Sequence, residues 1–495
     1  MTDTIAALVR RRAAEYGGKP MVIDPSARIT YAELNSGSSE LAAAFYAAGV
    51  GKGSRVGLTM PNCAEWVRIA IALTRIGAVL VPLSTLLQPP ELVAQLRTAS
   101  VQFLVAVEEF RGHHYLDDVA TERDKLPALR QVWRADRLPC GGSAPIDEIA
   151  AAVTPSDTLV VMFTSGSSGP PKGVIHSHGN ALGAVRSGLS ARCISADTRL
   201  YLPMPFFWVG GFGSGILSAL LTGATLVTEP IPRPETTLRL VERERVTLFR
   251  GWPDQAEALA RQSASVGADL SFLRPGSLPA LLPAELRGEP GARANLFGMT
   301  ESFGPYCGYP ADTDMPQSAW GSCGKPFDDM QVRIVDTDTG EPVPTGTIGM
   351  IQIRGPHVMR GICRRSREQL FTPDGYYPTG DLGHLDDDGF MFYHGRCDDM
   401  FKVSGATVYP SEVEEALRTV DGVHNAIVTE VAGAVGAVVV SERPVAELRT
   451  EARNRLSAFK VPTVWLLVGS DDDIPRKATG KVDVRAVREM LREAS

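Results

Sequence analysis

The chain has 495 residues, and its 50 lysines and arginines against 57 aspartates and glutamates give a formal net charge of −7 at pH 7. This mild acidic excess argues against a general nucleic-acid surface, which requires a concentrated basic face. Hydrophobic residues make up 44% and charged residues 22%, a globular composition that excludes wholesale disorder. The length predicts two or three domains that bury large cores without disulfides or structural metals.

Short apolar runs alternate with helical patterns along the first two-thirds of the chain. The segment Ala64–Arg75 has the periodicity of a helix. Runs with the length and composition of buried strands are Arg55–Met60, Ala78–Leu83, Val101–Val107, Thr158–Phe163 and Val246–Phe249. This alternation predicts α/β layers with mostly parallel sheets.

From about Trp320 the pattern changes to β-hairpins. Gln331–Val335 and Gly349–Arg354 alternate in polarity and are joined through Asp338-Thr339-Gly340, and a second strand pair flanks the turn Asp387-Asp388-Gly389. This part of the large region is therefore predicted to be β-rich.

After about Arg396 the sequence predicts a small α+β domain. Ser411-Glu412-Val413-Glu414 has the spacing of a capping box and predicts a helix start. The further predicted elements are strands at Ala426–Glu430 and Ala437–Ser441, a helix at Val445–Phe459, a strand at Val464–Val468 and a last helix.

The cysteines and the apolar segments bear on location. The seven cysteines are scattered without a CxxC pair, which favours reduced thiols in the cytoplasm and no structural zinc. We find no signal-peptide pattern at the N-terminus and no apolar window of about 18 residues, so a cytoplasmic protein without a membrane span is expected. His176 and His178 could share one strand face, and packing is favoured there over metal binding.

A loop rich in glycine and hydroxyl side chains follows the predicted strand that ends at Phe163. Small residues allow backbone N–H groups and hydroxyls to converge, and a lysine adds positive charge, which suits polyphosphate oxygens better than a generic flexible loop does. It is not a P-loop, because Lys172 lies between Pro171 and Gly173. The candidate ATP-binding residues of this loop are Thr164, Ser165, Gly166, Ser167, Ser168, Gly169 and Lys172.

This loop resembles that of the adenylate-forming superfamily, which includes acyl-CoA synthetases, nonribosomal peptide adenylation domains and beetle luciferases. Further segments similar to family motifs occur in the family's order at Phe297–Glu301, Tyr377–Asp381, Gly395–Gly405 and Pro475–Lys481. The resemblance covers essentially the whole chain. It implies a large adenylation domain at residues 1–397 and a small mobile C-terminal domain at residues 398–495.

The resemblance implies roles for the residues of these motifs. Phe297 and Gly298 would lie against the adenine, Thr300 near the α-phosphate, and Glu301 on a Mg²⁺ ion. The carboxylate of Asp381 would accept hydrogen bonds from the ribose, which Arg396 would also contact.

The C-terminal motifs are implied to act in the two half-reactions. Lys481 would be the catalytic lysine of adenylation, and Asp398 would be the hinge between the domains. Lys402, Ser404 and Gly405 would belong to the loop that faces the active site during thioester formation.

Three segments depart from the family pattern. In the segment that contains the candidate acyl-pocket residues Phe207, Trp208 and Gly210, Trp208 stands where the family usually has histidine. The usual Gly-Gly-Ala-Pro loop along the adenine reads Gly276-Ser277-Leu278-Pro279-Ala280, and the C-terminal domain is short around Val431–Gly436. The sequence is equally compatible with a Trp208 side chain that lies in the acyl pocket and with one that packs in the core.

The leading hypothesis is an AMP-forming acyl-CoA ligase that uses ATP, Mg²⁺ and CoA and acts on an aliphatic, alicyclic or aromatic carboxylic acid as a monomer or homodimer. One alternative is a standalone enzyme that loads the phosphopantetheine of a carrier protein. Another is an enzyme that performs only the thioester-forming step, and the non-enzymatic alternative is a nucleotide-binding regulator. Nucleic-acid partners are not expected.

Overall fold

The computed structural model describes residues 3–164, 172–397, 401–403, 406–456, 460–476 and 482–494. Its contacts divide the chain into two compact units. The first unit comprises Met1–Gln331 and Arg354–Tyr377, and the second comprises Val332–Ile353 and Pro378–Ser495. The predicted boundary between residues 397 and 398 falls within the second unit, beside residues outside the description, and stays a prediction.

Amphipathic helices surround the sheets of the first unit. The helix predicted at Ala64–Arg75 is present with those bounds, and its central residues Ile69–Leu73 are all apolar and buried. The helices are α1 (Ile5–Tyr16), α2 (Tyr31–Ala47), α3 (Ala64–Arg75), α4 (Pro89–Thr98), α5 (Tyr115–Thr121), α6 (Ile146–Ala151), α7 (His178–Ser187), α8 (Ser218–Thr222), α9 (Pro234–Arg243) and α10 (Pro253–Val266). A π-helical segment, Gly210–Leu217, leads directly into α8.

A seven-stranded sheet carries the glycine-rich loop. Its strands, in spatial order, are β17 (Gly361–Ile362), β8 (Lys172–Ser177), β7 (Thr158–Thr164), β4 (Val79–Pro82), β3 (Arg55–Thr59), β5 (Phe103–Ala106) and β6 (Gln131–Arg134). Neighbours from β7 to β6 run parallel, whereas β8 pairs antiparallel with both β7 and β17. The prediction of an α/β fold with mostly parallel sheets is confirmed.

Two further sheets complete the strands of the first unit. One has the order β11 (Leu248–Phe249), β9 (Arg199–Tyr201), β10 (Thr225–Val227), β1 (Pro20–Ile23) and β2 (Arg28–Thr30), with β2 antiparallel. The other is antiparallel and has the order β12 (Phe297–Met299), β13 (Gly304–Gly308) and β14 (Lys325–Pro326).

The main core of the first unit lies around the helices α2 and α3. Trp66 of α3 is fully buried, and its ring packs against Phe206 and Phe212 at centroid distances of 5.3 and 5.9 Å. Burial of one large apolar side chain contributes roughly 1.5–3 kcal/mol. The core thereby anchors the segment 206–212, which carries the candidate acyl-pocket residues.

The second unit is α+β. It has a four-stranded sheet, a strand pair and a three-stranded sheet, with the helices α11 (Pro410–Arg418), α12 (Val445–Arg455) and α13 (Val484–Glu493). The strands are β15 (Gln331–Val335), β16 (Gly349–Arg354), β18 (Tyr377–Leu385), β19 (Met391–Arg396), β20 (Phe401–Val403), β21 (Ala406–Val408), β22 (Val423–Val431), β23 (Ala434–Ser441) and β24 (Val464–Val468). The predicted hairpins and C-terminal strands are thus present.

The predicted capping box at Ser411 is wrong. The helix α11 begins one residue earlier, at Pro410, with Tyr409 in the N-cap position and no side-chain cap. The hydroxyl of Ser411 instead donates to the backbone carbonyl of His394. The helix α12 ends at Arg455, short of the predicted Phe459, which lies outside the described residues.

No helix in the described part of the chain is both long enough and apolar enough to cross a membrane.

Candidate active site

The glycine-rich loop connects two paired strands. Thr164, at the end of β7, lies opposite Lys172, at the start of β8. The loop between them therefore begins and ends at one edge of the sheet. The predicted ligands Ser165, Gly166, Ser167, Ser168 and Gly169 lie outside the described residues.

The strand β12 brings Phe297 and Gly298 beside β13. The Phe297 ring meets the Tyr306 ring edge-to-face, with the centroids 5.7 Å apart. A Cβ on Gly298 would lie 2.1 Å from the carbonyl oxygen of Gly304. Only glycine allows the two strands to approach this closely, so Gly298 fixes the position of the turn that follows.

That turn is a short 3₁₀ segment, Thr300–Ser302, which carries two candidate catalytic residues. The Glu301 side chain is buried, and its Oε1 accepts a hydrogen bond of 3.2 Å from the hydroxyl of Tyr377. The backbone carbonyl of Glu301 accepts a bond of 2.7 Å from the N–H of Met359. Glu301 is therefore held at both its backbone and its carboxylate.

Thr300 is positioned by a histidine that the sequence did not single out for this purpose. His176 of β8 is fully buried, and its Nε2 lies 2.8 Å from the carbonyl oxygen of Thr300. Its Nδ1 lies 2.7 Å from Nδ2 of Asn180, a group that only donates. The hydrogen-bond network thus places the proton on Nε2, which donates to Thr300. Burial lowers the pKa of His176 to about 4, so the ring is neutral at pH 7.

The interpretation of His176 as a packing residue was incomplete. The ring does pack, edge-to-face on Phe303 with centroids 4.8 Å apart, but both nitrogens also have polar partners. The alternation of strand β8 could indicate that His176 points inward. The partner Thr300 is 124 residues away, and no local pattern identifies it.

A cavity of about 810 Å³ joins the candidate acyl pocket to the Thr300 turn. Trp208 and Gly210 line it on one side and Gly298 and Thr300 on the other. The loop of residues 276–280, which departs from the family pattern, also lines this cavity. One cavity therefore brings together residues predicted for acid binding and residues predicted for nucleotide binding.

Trp208 lies in this cavity rather than in the core. Its ring is half-buried and meets the rings of Phe207 and Trp252 edge-to-face at 5.7 and 6.2 Å. Phe207 is only 5% exposed and lies beneath the lining. The aromatic pair of Trp208 and Trp252 restricts one wall of the cavity.

In the second unit, Asp381 and Arg396 face each other across the strands β18 and β19. The Nη1 of Arg396 donates to Oδ1 of Asp381 at 3.1 Å and to the carbonyl of Thr379 at 3.0 Å. The Thr379 hydroxyl donates to the Ile351 carbonyl at 2.8 Å and accepts the N–H of Asp381 at 3.0 Å. Asp381 is buried. The pairing of the two strands and the bond from Arg396 together hold its carboxylate in place.

The remaining candidate residues are in the C-terminal part. Asp398, Ser404, Gly405 and Lys481 lie outside the described residues, and only the backbone of Lys402 is described, within β20. Within the described residues, no group of three or more His, Cys, Asp or Glu side chains could hold a metal ion.

Comparison with known proteins places these features in context. The model of a family described as "AMP-binding enzyme" matches residues 9–363. The 3-[(3aS,4S,7aS)-7a-methyl-1,5-dioxo-octahydro-1H-inden-4-yl]propanoyl:CoA ligase of Mycobacterium tuberculosis (strain ATCC 25618 / H37Rv) is 33% identical, across 98% of this chain and 99% of its own. The indoleacetate–CoA ligase of Aromatoleum aromaticum is 30% identical, across 98% of this chain and 97% of its own.

Solved structures share the fold. The anthranilate CoA ligase AuaEII in complex with anthranoyl-AMP superposes with a TM-score of 0.83 at 24% identity, covering 100% of this chain and 98% of its own. ATP-bound MatB from Rhodopseudomonas palustris gives 0.82 at 24% identity, covering 100% and 99%. At this identity the likeness concerns the fold alone.

Proposed function

The chain belongs to the family of AMP-binding enzymes and is an AMP-forming acyl-CoA ligase, and we propose that its substrate is a cyclic or aromatic carboxylic acid. Such a ligase activates the acid as an acyl-adenylate with release of pyrophosphate and then transfers the acyl group to a thiol. The observation that carries the proposal is the cavity of about 810 Å³ that joins Trp208 to Thr300.

The size and lining of this cavity support a ring-containing acid. Its volume falls in the range of pockets that enclose a whole small molecule. Trp208 offers a flat aromatic surface, and Leu202, Met204 and Leu282 add apolar contacts. The named relatives act on an indane-derived propanoyl group and on indoleacetate, both of which contain fused rings.

The Thr300 turn is the place proposed for the reaction. An acid and ATP are both anionic, so their approach needs fixed positive charge and hydrogen-bond donors. The Thr300 hydroxyl would donate to the α-phosphate, and Lys172 at the base of the loop would add a positive charge. Phe297 would stack on the adenine.

Glu301 fits a role in holding Mg²⁺. A carboxylate oxygen is the type of ligand that Mg²⁺ prefers, and Oε2 of Glu301 remains for it while Oε1 accepts the bond from Tyr377. When bound, the ion would neutralise phosphate charge as pyrophosphate leaves. The buried carboxylate would not need to reorganise during the reaction.

Asp381 is the proposed ribose ligand, and Lys481 is the proposed catalytic lysine. Asp381 would accept hydrogen bonds from the ribose hydroxyls, while Arg396 holds its other oxygen. Lys481 would contact the reacting carboxylate during adenylation. Rotation about Asp398 would then withdraw Lys481 and present the loop of Lys402 for thioester formation.

CoA is the proposed thiol acceptor. The chain aligns with the named CoA ligases over nearly their full length. This similarity supports free CoA as the acceptor rather than a carrier protein. A cytoplasmic location and a monomeric or homodimeric state stay predictions.

The test measures pyrophosphate release with ATP and Mg²⁺ over a panel of linear, alicyclic and aromatic acids, with and without CoA. We expect the highest kcat/KM for a ring-containing acid, with one CoA thioester formed for each pyrophosphate. A preference for linear acids would contradict the proposed substrate class. Pyrophosphate release without any CoA thioester would favour loading of a carrier protein. Thioester formation only from supplied acyl-adenylate would favour an enzyme that performs the thioester-forming step alone.

A further inference from the structure

Two arginine side chains meet at one end of the cavity. Arg192 and Arg250 both line it. Arg192 is only 4% exposed, and its Nη1 donates to the carbonyl of Val185 at 3.0 Å. Nη2 of Arg250 donates to the backbone carbonyl of Arg192 at 3.0 Å. Both guanidinium groups thus bond to backbone carbonyls, and that of Arg250 lies against the backbone of Arg192.

Neither guanidinium forms an ion pair with a described residue. In the part of the chain that the structure describes, no ion pair joins Arg192 or Arg250 to a carboxylate, whereas nearby Arg274 pairs with Asp197 at 3.1 Å. The Nε atoms of Arg192 and Arg250 are buried, and the described residues offer them no hydrogen-bond partner. Each guanidinium has five N–H donors, so several remain for a ligand.

The electrostatic surroundings confirm that positive charge accumulates here. Burial and, to a smaller extent, the charge of Arg250 together lower the pKa of Arg192 to about 10. Burial also lowers the pKa of Arg250, which the charges of Cys193 and Asp312 partly oppose. Asp312 is exposed and forms no described ion pair with either arginine. Two like charges in a buried site without a counterion destabilise the protein, and an anionic ligand would relieve this.

The local sequence makes room for Arg192. A Cβ on Gly188 would lie 2.7 Å from Nη1 of Arg192 and 2.8 Å from the ring of Phe327. Any other residue at position 188 would push the guanidinium aside. Arg192 is therefore packed between Gly188 and the segment around Phe327.

The strand β13 connects the surroundings of Arg192 with the Thr300 turn. The Phe327 ring beside Arg192 also packs on Gly308, where a Cβ would lie 2.8 Å from it. Gly308 ends the strand β13, whose other end, Gly304, pairs with Met299 next to Thr300. A strand rises about 3.4 Å per residue, so the four steps of β13 span roughly 13 Å. The Phe327 ring that borders Gly188 is therefore separated along β13 by roughly this length from the residue that pairs with Met299.

We propose that the acid substrate carries a second carboxylate, which Arg192 and Arg250 bind at the end of the cavity opposite to the reacting carboxylate. The proposal rests on the function proposed above and specifies its substrate as a dicarboxylic acid. The two carboxylates would lie roughly 10 Å apart, given the length of β13 and the reach of the arginine side chains. Guanidinium groups bind carboxylates through paired hydrogen bonds, and this geometry discriminates against an ester.

The test compares diacids with their monomethyl esters at the distal carboxyl group. The ring-containing diacid 3-(4-carboxyphenyl)propanoic acid and, for comparison, the linear decanedioic acid, each with its ester, are assayed for pyrophosphate release. We expect kcat/KM for the ring-containing diacid to exceed that of its ester by about 10–100-fold, the effect of losing hydrogen bonds to a charged group. Arg250→Leu and Arg192→Leu should reduce this ratio to near one, and Arg250→Lys should keep part of it.

The matched control is Arg261→Leu, which removes an exposed arginine of α10 outside the cavity and should keep the full ratio. The KM values for ATP and CoA should not change in the arginine variants. The melting temperature of Arg250→Leu reports folding, so that the ratio of diacid to ester is read from folded enzyme.

Three results would overturn the proposal. One is equal kcat/KM for diacid and ester in the parent enzyme, a comparison that needs no variant to fold. The second is an equal kcat/KM for the diacid and for a keto acid that has a ketone in place of the distal carboxylate. The third is a rise in KM for ATP or CoA in the arginine variants with the diacid preference intact, which would assign the arginines to a phosphate. Absence of pyrophosphate release with every acid would instead refute the proposed function.

Discussion

The hydrogen bond from His176 to the Thr300 carbonyl leads to a sharp prediction about activity. Replacement by leucine leaves one N–H of the buried Asn180 without a partner, and the Thr300 carbonyl keeps only the bond of 3.0 Å from the N–H of Phe303. An unpaired buried donor costs about 1–3 kcal/mol, so His176→Leu should lower the free energy of unfolding by about that amount. The Thr300 turn loses its anchor at the same time.

A shift of the Thr300 turn by about 1 Å would reduce the rate of adenylation by up to about 10²-fold. The assay is ATP–pyrophosphate exchange per folded molecule, with the folded fraction taken from urea unfolding under the assay conditions. We expect kcat to fall and KM for the acid to change little, because His176 does not line the cavity. His176→Gln keeps an N–H donor and should restore part of kcat.

His178→Leu provides the matched control. His178 is also fully buried, but its Nδ1 accepts only a bond of 3.3 Å from the N–H of Ile5, and it has no described bond to Thr300. It should lose stability but keep its kcat per folded molecule. Equal losses of kcat in the two leucine variants would refute the positioning role of His176.

Three further predictions follow from the same observations. Burial lowers the pKa values of His176 and His178 to about 4, against 6.5 when exposed, so the unfolded chain binds more protons between these pH values. The stabilisation from these histidines should therefore be complete above pH 6.5 and fall toward pH 4. Urea unfolding of His176→Gln should show a dependence of stability on pH that is smaller by about 1.4 kcal/mol per pH unit. Trp208→Ala should widen the cavity and raise kcat/KM for bulkier acids relative to small ones by about 10-fold, measured by pyrophosphate release; an unchanged ratio would remove Trp208 from the acyl pocket. Lys481→Ala should slow adenylation by about 10²–10³-fold and spare thioester formation from supplied acyl-adenylate; equal losses in both half-reactions would exclude its proposed role.

Helices and strands were predicted well where a short segment has a clear pattern of apolar and polar residues. The helix Ala64–Arg75 has the predicted bounds, and the strand predicted at Thr158–Phe163 is β7, extended by one residue. The hairpin turn at residues 387–389 joins β18 and β19 as expected. These elements are fixed by hydrophobic periodicity and turn residues, which are properties of short segments.

Hydroxyl and imidazole groups were less predictable, because the same group can serve several partners. Ser411 has the spacing of a cap, yet its hydroxyl donates to the carbonyl of His394 in another element. His176 has the burial of a packing residue, yet it holds Thr300. Which partner a polar side chain takes depends on what the fold brings near it.

The sequence by itself determined the family resemblance, the α/β class and the identity of most candidate ligands, because motifs such as Phe297–Glu301 and Tyr377–Asp381 are contiguous and chemically distinctive. The tertiary structure alone decided that Trp208 faces a cavity, that His176 anchors Thr300, and that Arg192 and Arg250 line the same cavity without an ion pair to a described residue. The physical reason is that these are contacts between distant segments, and a counterion or a cavity wall is defined only once the chain has folded.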